Sequence, residues 1–309
     1  MSQTGEPTFD FVKEVQARHE DRLFQLPGVQ GVGIGLENGQ YVLHVYVNKF
    51  VTPPPVVPAN LEGVSVIVIT TTPFVLLDGG PQHRQTFTPP VPMGVSTSNN
   101  QLCTAGTLGF RVRDPLSGVV GYITNNHVAA AGSNGCHNGA PIGADQFQAG
   151  LLDSGCNSPA TDVGDLVRFV PVDISQFASN TVDAAFVGSS TTLVSNTIQD
   201  LGLPAGPPRN PVLYEFVRKS GRTTDNTLGQ VRDVNFTFTP LSNCGFVRFV
   251  GQVGIAGAGV FAQGGDSGSP VLSTASQPVG LLFGGSFDGA FGVANPLPSV
   301  LVALAVELF

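Results

Sequence analysis

Apolar residues recur along this chain with two different periods. Between Pro7 and Pro27, Phe11, Val12, Val15, Leu23 and Leu26 return near helical spacing with Lys, Glu, Arg and His between them, which predicts one amphipathic helix. The period then shortens to two. Tyr41, Leu43, Val45 and Val47 alternate with Val42, His44 and Tyr46, and the turn signal Glu37-Asn38-Gly39 joins this run to residues 29–36 as a hairpin. After Pro53-Pro54-Pro55, residues 64–69 add another strand, so residues 1–80 read as a small α+β domain.

From Asp78 to Asn100 the chain is rich in Pro, Gly, Thr and Ser without periodicity, the mark of a linker or covering strap; we bound the linker at 81–100. Short strand-like runs separated by Gly, Pro and Asn follow at 107–113, 119–124, 165–170, 181–187, 213–218, 229–238, 245–250, 270–272, 279–283 and 291–294. Such a series predicts a barrel or a pair of barrels over 101–309. Residues 298–309, with Val300, Leu301, Leu304 and Leu308 on one face, read as a closing helix.

Composition agrees: 39 Gly, 24 Pro and only 12% charged residues in 309 suit many turns and short strands better than helices. The net charge of −8, with 14 Lys and Arg and no basic run, argues against nucleic acid as a partner. Gly31-x-Gly33-x-Gly35 lies within a strand with no helix after it, so it is not read as a nucleotide loop. Residues 1–9 lack a basic start and an apolar h-region, and no span of about 18 apolar residues occurs. The expected location is therefore cytoplasmic, or exported without a recognisable signal peptide, with no membrane span. Cys103, Cys136, Cys156 and Cys244 lack Cys-x-x-Cys spacing, which argues against zinc. We expect most of them reduced, with Cys136 and Cys156 able to pair in an oxidising compartment.

Gly264-Gly265-Asp266-Ser267-Gly268-Ser269-Pro270 carries the candidate chemistry. Its glycines let the backbone turn tightly, and the N–H groups of Gly265 and Ser267 can then face a developing oxyanion. By itself the run suits a surface turn equally well. All five histidines precede residue 138. That order excludes an α/β-hydrolase, whose histidine follows its serine and whose elbow needs glycine where Ser269 stands, and the β-rich pattern opposes a subtilisin fold. His127 ends the apolar run 122–124 and is followed by small residues, a rigid setting for a base. Asp183 interrupts the apolar run Thr181-Val182-Asp183-Ala184-Ala185, where a carboxylate needs a donor, and a histidine ring N–H is a natural one.

The order His127, Asp183, Ser267 in a β-rich domain resembles that of chymotrypsin-like serine proteases. Ile123-Thr124-Asn125-Asn126-His127, Thr181-Val182-Asp183-Ala184-Ala185 and Gly265-Asp266-Ser267-Gly268 resemble that family's three motifs. Lys219-Ser220-Gly221-Arg222-Thr223-Thr224 through Gly229-Gln230-Val231 is similar to a strand-turn-strand of α-lytic protease and the streptogrisins, and the Gly-Thr-Leu-Gly and Thr-Asn-x-His-Val patterns to plant Narrow-leaf-type proteases. Val128 and Leu228 stand where bacterial secreted members have cysteines, and Ser269 replaces the usual second glycine after the nucleophile.

The resemblance implies a double β-barrel with a C-terminal helix over 101–309 and a serine endopeptidase acting on protein or peptide substrates without cofactor or metal. In it His127 is the base, Asp183 its orienter, Ser267 the nucleophile, and Gly265 and Ser267 the oxyanion hole, each of whose donors is worth about 3 kcal/mol. Phe261 and Ala262 are implied at the base of the specificity pocket, and Leu282, Phe283, Gly284 and Gly285 on the strand that receives substrate backbone; with no acid there, an apolar or small side chain is the expected preference. In the α-lytic relatives an α/β pro-region assists folding and blocks the site. The domain at 1–80 is accordingly expected to be pro-region-like or a fixed accessory, touching the protease domain within the chain. A catalytically silent protease-fold protein that binds or builds is the competing reading.

Overall fold

The computed structural model of the protein describes residues 6–75, 83–156, 161–175, 178–241 and 244–309. Helix α1, Phe9–Phe24, starts at Thr8, whose hydroxyl accepts from the Phe11 N–H at 3.3 Å, with Asp10 in the first turn where the helix dipole favours an acid. Its buried Val12, Val15 and Leu23 pack on a sheet of β1 (Val29–Glu37), β2 (Gln40–Asn48), β3 (Asn60–Leu61) and β4 (Val64–Thr71). Asn38 and Gly39 both take positive φ, as a two-residue type I′ hairpin turn between β1 and β2 requires. β4 runs parallel to β2.

A short strand β5 (Phe74–Val75) leads away from this unit. The first barrel unit contains β6 (Val91–Met93), β7 (Ser96–Asn99), β8 (Gly106–Thr107), β9 (Arg111–Arg113), β10 (Val120–Thr124), α2 (Asn126–Ala129), β11 (Asp145–Gln148), β12 (Thr161–Phe169), β13 (Ala185–Gly188) and β14 (Val194–Ile198). Its main sheet, ordered β9-β10-β13-β12-β11-β7-β8, curls around Leu108, Phe110, Tyr122, Ile123 and Phe186. The second unit comprises β15 (Phe216–Gly221), β16 (Asp225–Phe238), β17 (Phe249–Gly257), β18 (Pro270–Ser273), β19 (Pro278–Ser286) and β20 (Phe291–Pro296). The order β15-β18-β19-β20-β17-β16 closes through a β15 to β16 pairing, so these strands form a complete barrel. Helix α3 (Leu297–Ala303) and β21 (Glu307–Leu308) follow, and β21 returns to pair with β9. This is the chymotrypsin-like double barrel.

The N-terminal unit continues the second barrel's sheet. β1 pairs antiparallel with β16, setting Gly31 opposite Phe238, Val32 opposite Thr237 and Ile34 opposite Val234. A Cβ on Gly31 would lie 2.6 Å from the Phe236 ring and one on Gly35 only 2.0 Å from the His44 ring, so this glycine run makes room for side chains across the sheet and cradles no phosphate. Two devices lock the junction. Tyr46, Phe74, Phe236, Phe238 and Phe291 share one aromatic cluster, and Asp233 of β16 accepts from the Tyr46 hydroxyl while its Oδ1 lies 2.5 Å from His44 Nδ1. Burial pushes the Tyr46 phenol well above its ordinary range, and the Asp233 charge adds to the shift.

Several sequence expectations need correction. All four cysteines are bonded, as Cys103–Cys156 and Cys136–Cys244, with Cα separations of 5.2 and 5.5 Å; neither the reduced state nor the Cys136–Cys156 pairing holds. The stretch 81–100, marked as linker, supplies β6, paired with β14, and β7, paired with β8 and β11. These strands are too short to show a period. The closing helix ends at Ala303, and Leu308 lies in β21, paired to Val112. The run 181–187 is a strand only from Ala185.

Candidate active site

Three elements carry the candidate residues. His127 sits on α2, one turn of helix directly after β10, rather than at the strand end itself. Asp183 precedes β13, which pairs with β10, so Asp183 and His127 extend from neighbouring strands of one sheet. Ser267 belongs to the turn before β18 in the other barrel. Thr107 of β8 ties that turn to the first barrel: its N–H donates to the Ser267 carbonyl at 2.8 Å and its hydroxyl to the Gly265 carbonyl at 2.7 Å.

The glycines flanking Asp266 and Ser267 are required by this closeness. Gly265 and Gly268 have φ of +91° and +96°. A Cβ on Gly268 would stand 2.1 Å from the Thr107 carbonyl oxygen and 2.3 Å from Thr124 Oγ1, three residues before His127. The neighbouring carbonyls fix the N–H directions. Gly264 O accepts from Thr223 Oγ1 at 2.5 Å, and Asp266 O from the Ser269 N–H and hydroxyl at 2.9 and 2.5 Å. Because a trans peptide opposes its N–H to its C=O, the Gly265 N–H is turned away from Thr223 and the Ser267 N–H away from Ser269. Ser269, the departure from the usual glycine, is accommodated because its hydroxyl closes this turn beside Gly221, where a Cβ would come within 2.3 Å of Ser269 Oγ.

Asp183 is wholly buried; its Oδ2 lies 2.7 Å from His127 Nδ1, and its Oδ1 accepts from the His127 backbone N–H at 3.3 Å. Asn125 and Asn295 both donate to the Asp183 carbonyl, at 2.8 and 3.2 Å, and Asn295 Oδ1 accepts its N–H at 2.9 Å. Burial alone would raise the Asp183 carboxyl; the positive charge and hydrogen bond of His127, then the His137 contact, outweigh it and hold the group well below the usual carboxylate range. This pair can present an Nε2 lone pair in a fixed direction, as general-base chemistry needs.

Sequence reasoning assigned no role to four residues that the structure places around the site: His137, Asp266, Lys219 and Arg222. His137 Nε2 lies 3.3 Å from Asp183 Oδ2. The ligand atoms of His127, His137 and Asp183 lie within 4.8 Å of one another, a grouping that hydrogen bonding accounts for, and we assign no metal to it. Asp266 is a buried hub: its carboxylate accepts from the N–H groups of Thr223, Thr224 and Gln263 and from Thr224 Oγ1, at 2.8, 3.1, 2.9 and 2.7 Å, with Lys219 Nζ 3.5 Å away. Burial lowers the Lys219 ammonium, against the pull of Asp266. Arg222, also buried, reaches back to Asp153 of the first barrel unit at 2.8 and 2.5 Å. Lys219 and Arg222 stand in the motif Lys219-Ser220-Gly221-Arg222-Thr223-Thr224, which was the available signal for both.

The residues assigned to the substrate pocket are mostly core. Phe261 and Ala262 are fully buried, and the Phe261 ring fills space that Gly229 and Gly292 leave open. Phe283 stacks edge-on to Phe249 at 4.9 Å, while its carbonyl oxygen lies 3.5 Å from Ser267 Oγ. On the same strand β19, Gly285 and Ser286 pair antiparallel with Val75 and Phe74 of β5.

Among solved structures the chain is similar to Nocardiopsis protease (NAPase), at 21% identity over 71% of this chain and 98% of that one, with a TM-score of 0.50. Thermobifida fusca protease A matches at 20% identity over 71% and 97% with a TM-score of 0.48, and Cellulomonas bogoriensis chymotrypsin at 20% over 71% and 98% with 0.47. At these identities the likeness is one of fold. No family model matches the chain, and no curated protein does.

Proposed function

We propose that the protein is a serine endopeptidase of the chymotrypsin-like family, acting through His127, Asp183 and Ser267. The observation that carries the reading is the buried Asp183 carboxylate 2.7 Å from His127 Nδ1, on a double barrel whose second half presents Ser267 between two positive-φ glycines. His127 takes the Ser267 proton as Oγ attacks a peptide carbonyl, Asp183 holds the ring tautomer and stabilises the imidazolium, and the Gly265 and Ser267 N–H groups receive the oxyanion. His127 then gives that proton to the departing amine as the peptide C–N bond breaks, and the acyl-enzyme loses its acyl group to water activated by the same histidine, which returns a proton to Ser267 Oγ. No acidic side chain stands at Phe261 or Ala262, so the reading favours protein or peptide substrates with an apolar or small residue before the scissile bond. A chromogenic peptide panel tests this: cleavage after Leu, Val or Ala that disappears in Ser267→Ala is expected, and preference for Lys or Arg would refute the specificity.

We further propose that the domain at 1–80 keeps the enzyme latent. Its strap β5 lies antiparallel on Gly285, the last of the residues where the family resemblance places substrate backbone, and on the adjoining Ser286, and strand addition of this kind competes with substrate along the same strand. Intact-mass comparison of wild type with Ser267→Ala separates a pro-region removed by self-cleavage from an accessory unit that stays. Two disulfides favour the exported location over the cytoplasmic one.

A further inference from the structure

Asp183 faces two imidazoles. His127 Nδ1 and His137 Nε2 lie 2.7 and 3.3 Å from the same atom, Asp183 Oδ2, with the two rings 5.8 Å apart edge to face. The His137 side chain is 2% exposed. Its segment is held on both sides. Cys136 is bonded to Cys244 in the connection between β16 and β17, and Asn138, at a φ of +62°, is clasped by Asn126: the Asn138 N–H donates to Asn126 Oδ1 at 3.0 Å and Asn126 Nδ2 to Asn138 Oδ1 at 2.8 Å. Asn138 also exchanges two bonds with Val172, at 2.8 and 2.9 Å. Asn126 immediately precedes His127, so one clasp sets the positions of both histidines.

We propose that His137 is a positioning residue for the catalytic pair, donating its Nε2–H to Asp183 Oδ2 and thereby setting both the direction of that oxygen and how strongly it attracts the His127 imidazolium. This rests on the serine-protease reading above. The tautomer follows from the contacts. His137 Nδ1 is buried with no hydrogen-bond partner among the described residues, and Oδ2 of an ionised carboxylate only accepts, so the proton sits on Nε2. A donor sharing Oδ2 draws off part of the negative charge that His127 would otherwise face. His127 then gives up its proton at lower pH and serves as a base over a wider range. Among the described residues, the titratable groups facing the Asp183 carboxylate are His127 and His137.

The test compares wild type, His137→Gln and His137→Phe. In kcat/KM against pH, His137→Phe is expected to move the acid limb upward by about half to one pH unit, a change of that size following from loss of one hydrogen bond to the charged acceptor. It is also expected to lower kcat about 10-fold with KM unchanged, and His137→Gln, whose amide can still donate, to keep the wild-type limb. A fall in kcat with an unmoved limb, or a Gln variant that behaves as Phe does while remaining folded, overturns the proposal. Nitrogen-15 NMR of the imidazoles in the wild-type chain provides a readout independent of activity. Protonation of His137 at Nε2 supports the proposal, and protonation at Nδ1 overturns it. If Ser267 proves unreactive, the enzyme reading fails by itself, and the NMR result still decides whether His137 donates to Asp183.

Discussion

Lys219→Met removes one partner of the buried pair beneath the Ser267 turn. Lys219 and Asp266 are both fully buried, and Nζ donates to Thr224 Oγ1 at 2.5 Å and to the Asp225 carbonyl at 2.9 Å while standing 3.5 Å from Asp266 Oδ2. Breaking a buried pair from one side costs about 3 to 5 kcal/mol because a charge is left uncompensated. Asp266 retains four donors within 3.1 Å, which places the expected loss near the lower end, about 3 kcal/mol. At about 2 to 4 °C per kcal/mol for a chain of this order, the melting temperature should fall by roughly 6 to 12 °C. Calorimetry of wild type, Lys219→Met, Asp266→Asn and the double variant gives the full cycle. The double variant should recover about 1.5 kcal/mol or more relative to the sum of the single losses. Strict additivity, or a Lys219→Met melting temperature within about 2 °C of wild type, would refute the argument that this pair stabilises the turn.

Other consequences are as direct. Gly268→Ala places a Cβ 2.1 Å from the Thr107 carbonyl at a φ of +96°, so it should cost at least about 2 kcal/mol in urea unfolding and suppress reaction at Ser267. Phe74→Ala removes the buried ring by which β5 itself enters the aromatic cluster, and peptide turnover should rise as the strap leaves β19; unchanged turnover would count against latency. Reducing Cys136–Cys244, which spans 108 residues, should cost up to about 4.7 kcal/mol by loop-closure entropy, read from urea midpoints of the Cys136→Ser/Cys244→Ser double variant. Asp114 is pulled down to about 2 by the N–H groups of Leu116 and Ser117 and then by Arg168. Its folded-state pKa lies below the unfolded value, so its contribution is complete above about pH 4 and disappears as pH falls through 2; Asp114→Asn should flatten stability against pH over that window.

What the sequence disclosed divides along a physical line. As candidates, His127, Asp183 and Ser267 stood out because each breaks a local rule: a carboxylate in an apolar run, a histidine where a strand gives way to small residues, a serine between glycines. The hairpin across Asn38-Gly39 was legible because its turn chemistry is local. His137 was not, since its meaning lies in a carboxylate 46 residues away and in a clasp formed only after folding. The cysteine pairing was closed to spacing arguments for the same reason, as four cysteines allow three connectivities. The strands at 91–93 and 96–99 were hidden because three or four residues show no period, and their pairing with β14, β8 and β11 is set by the barrel.

The most direct test of the central claim is labelling of the folded chain with a fluorophosphonate, followed by peptide mass mapping, in wild type, Ser267→Ala and Phe74→Ala. The account predicts one adduct, on Ser267, absent from Ser267→Ala and formed faster in Phe74→Ala than in wild type. Folded protein that takes no label in either the wild-type or the Phe74→Ala form, or label that persists in Ser267→Ala, would contradict it and favour a protease fold kept for binding.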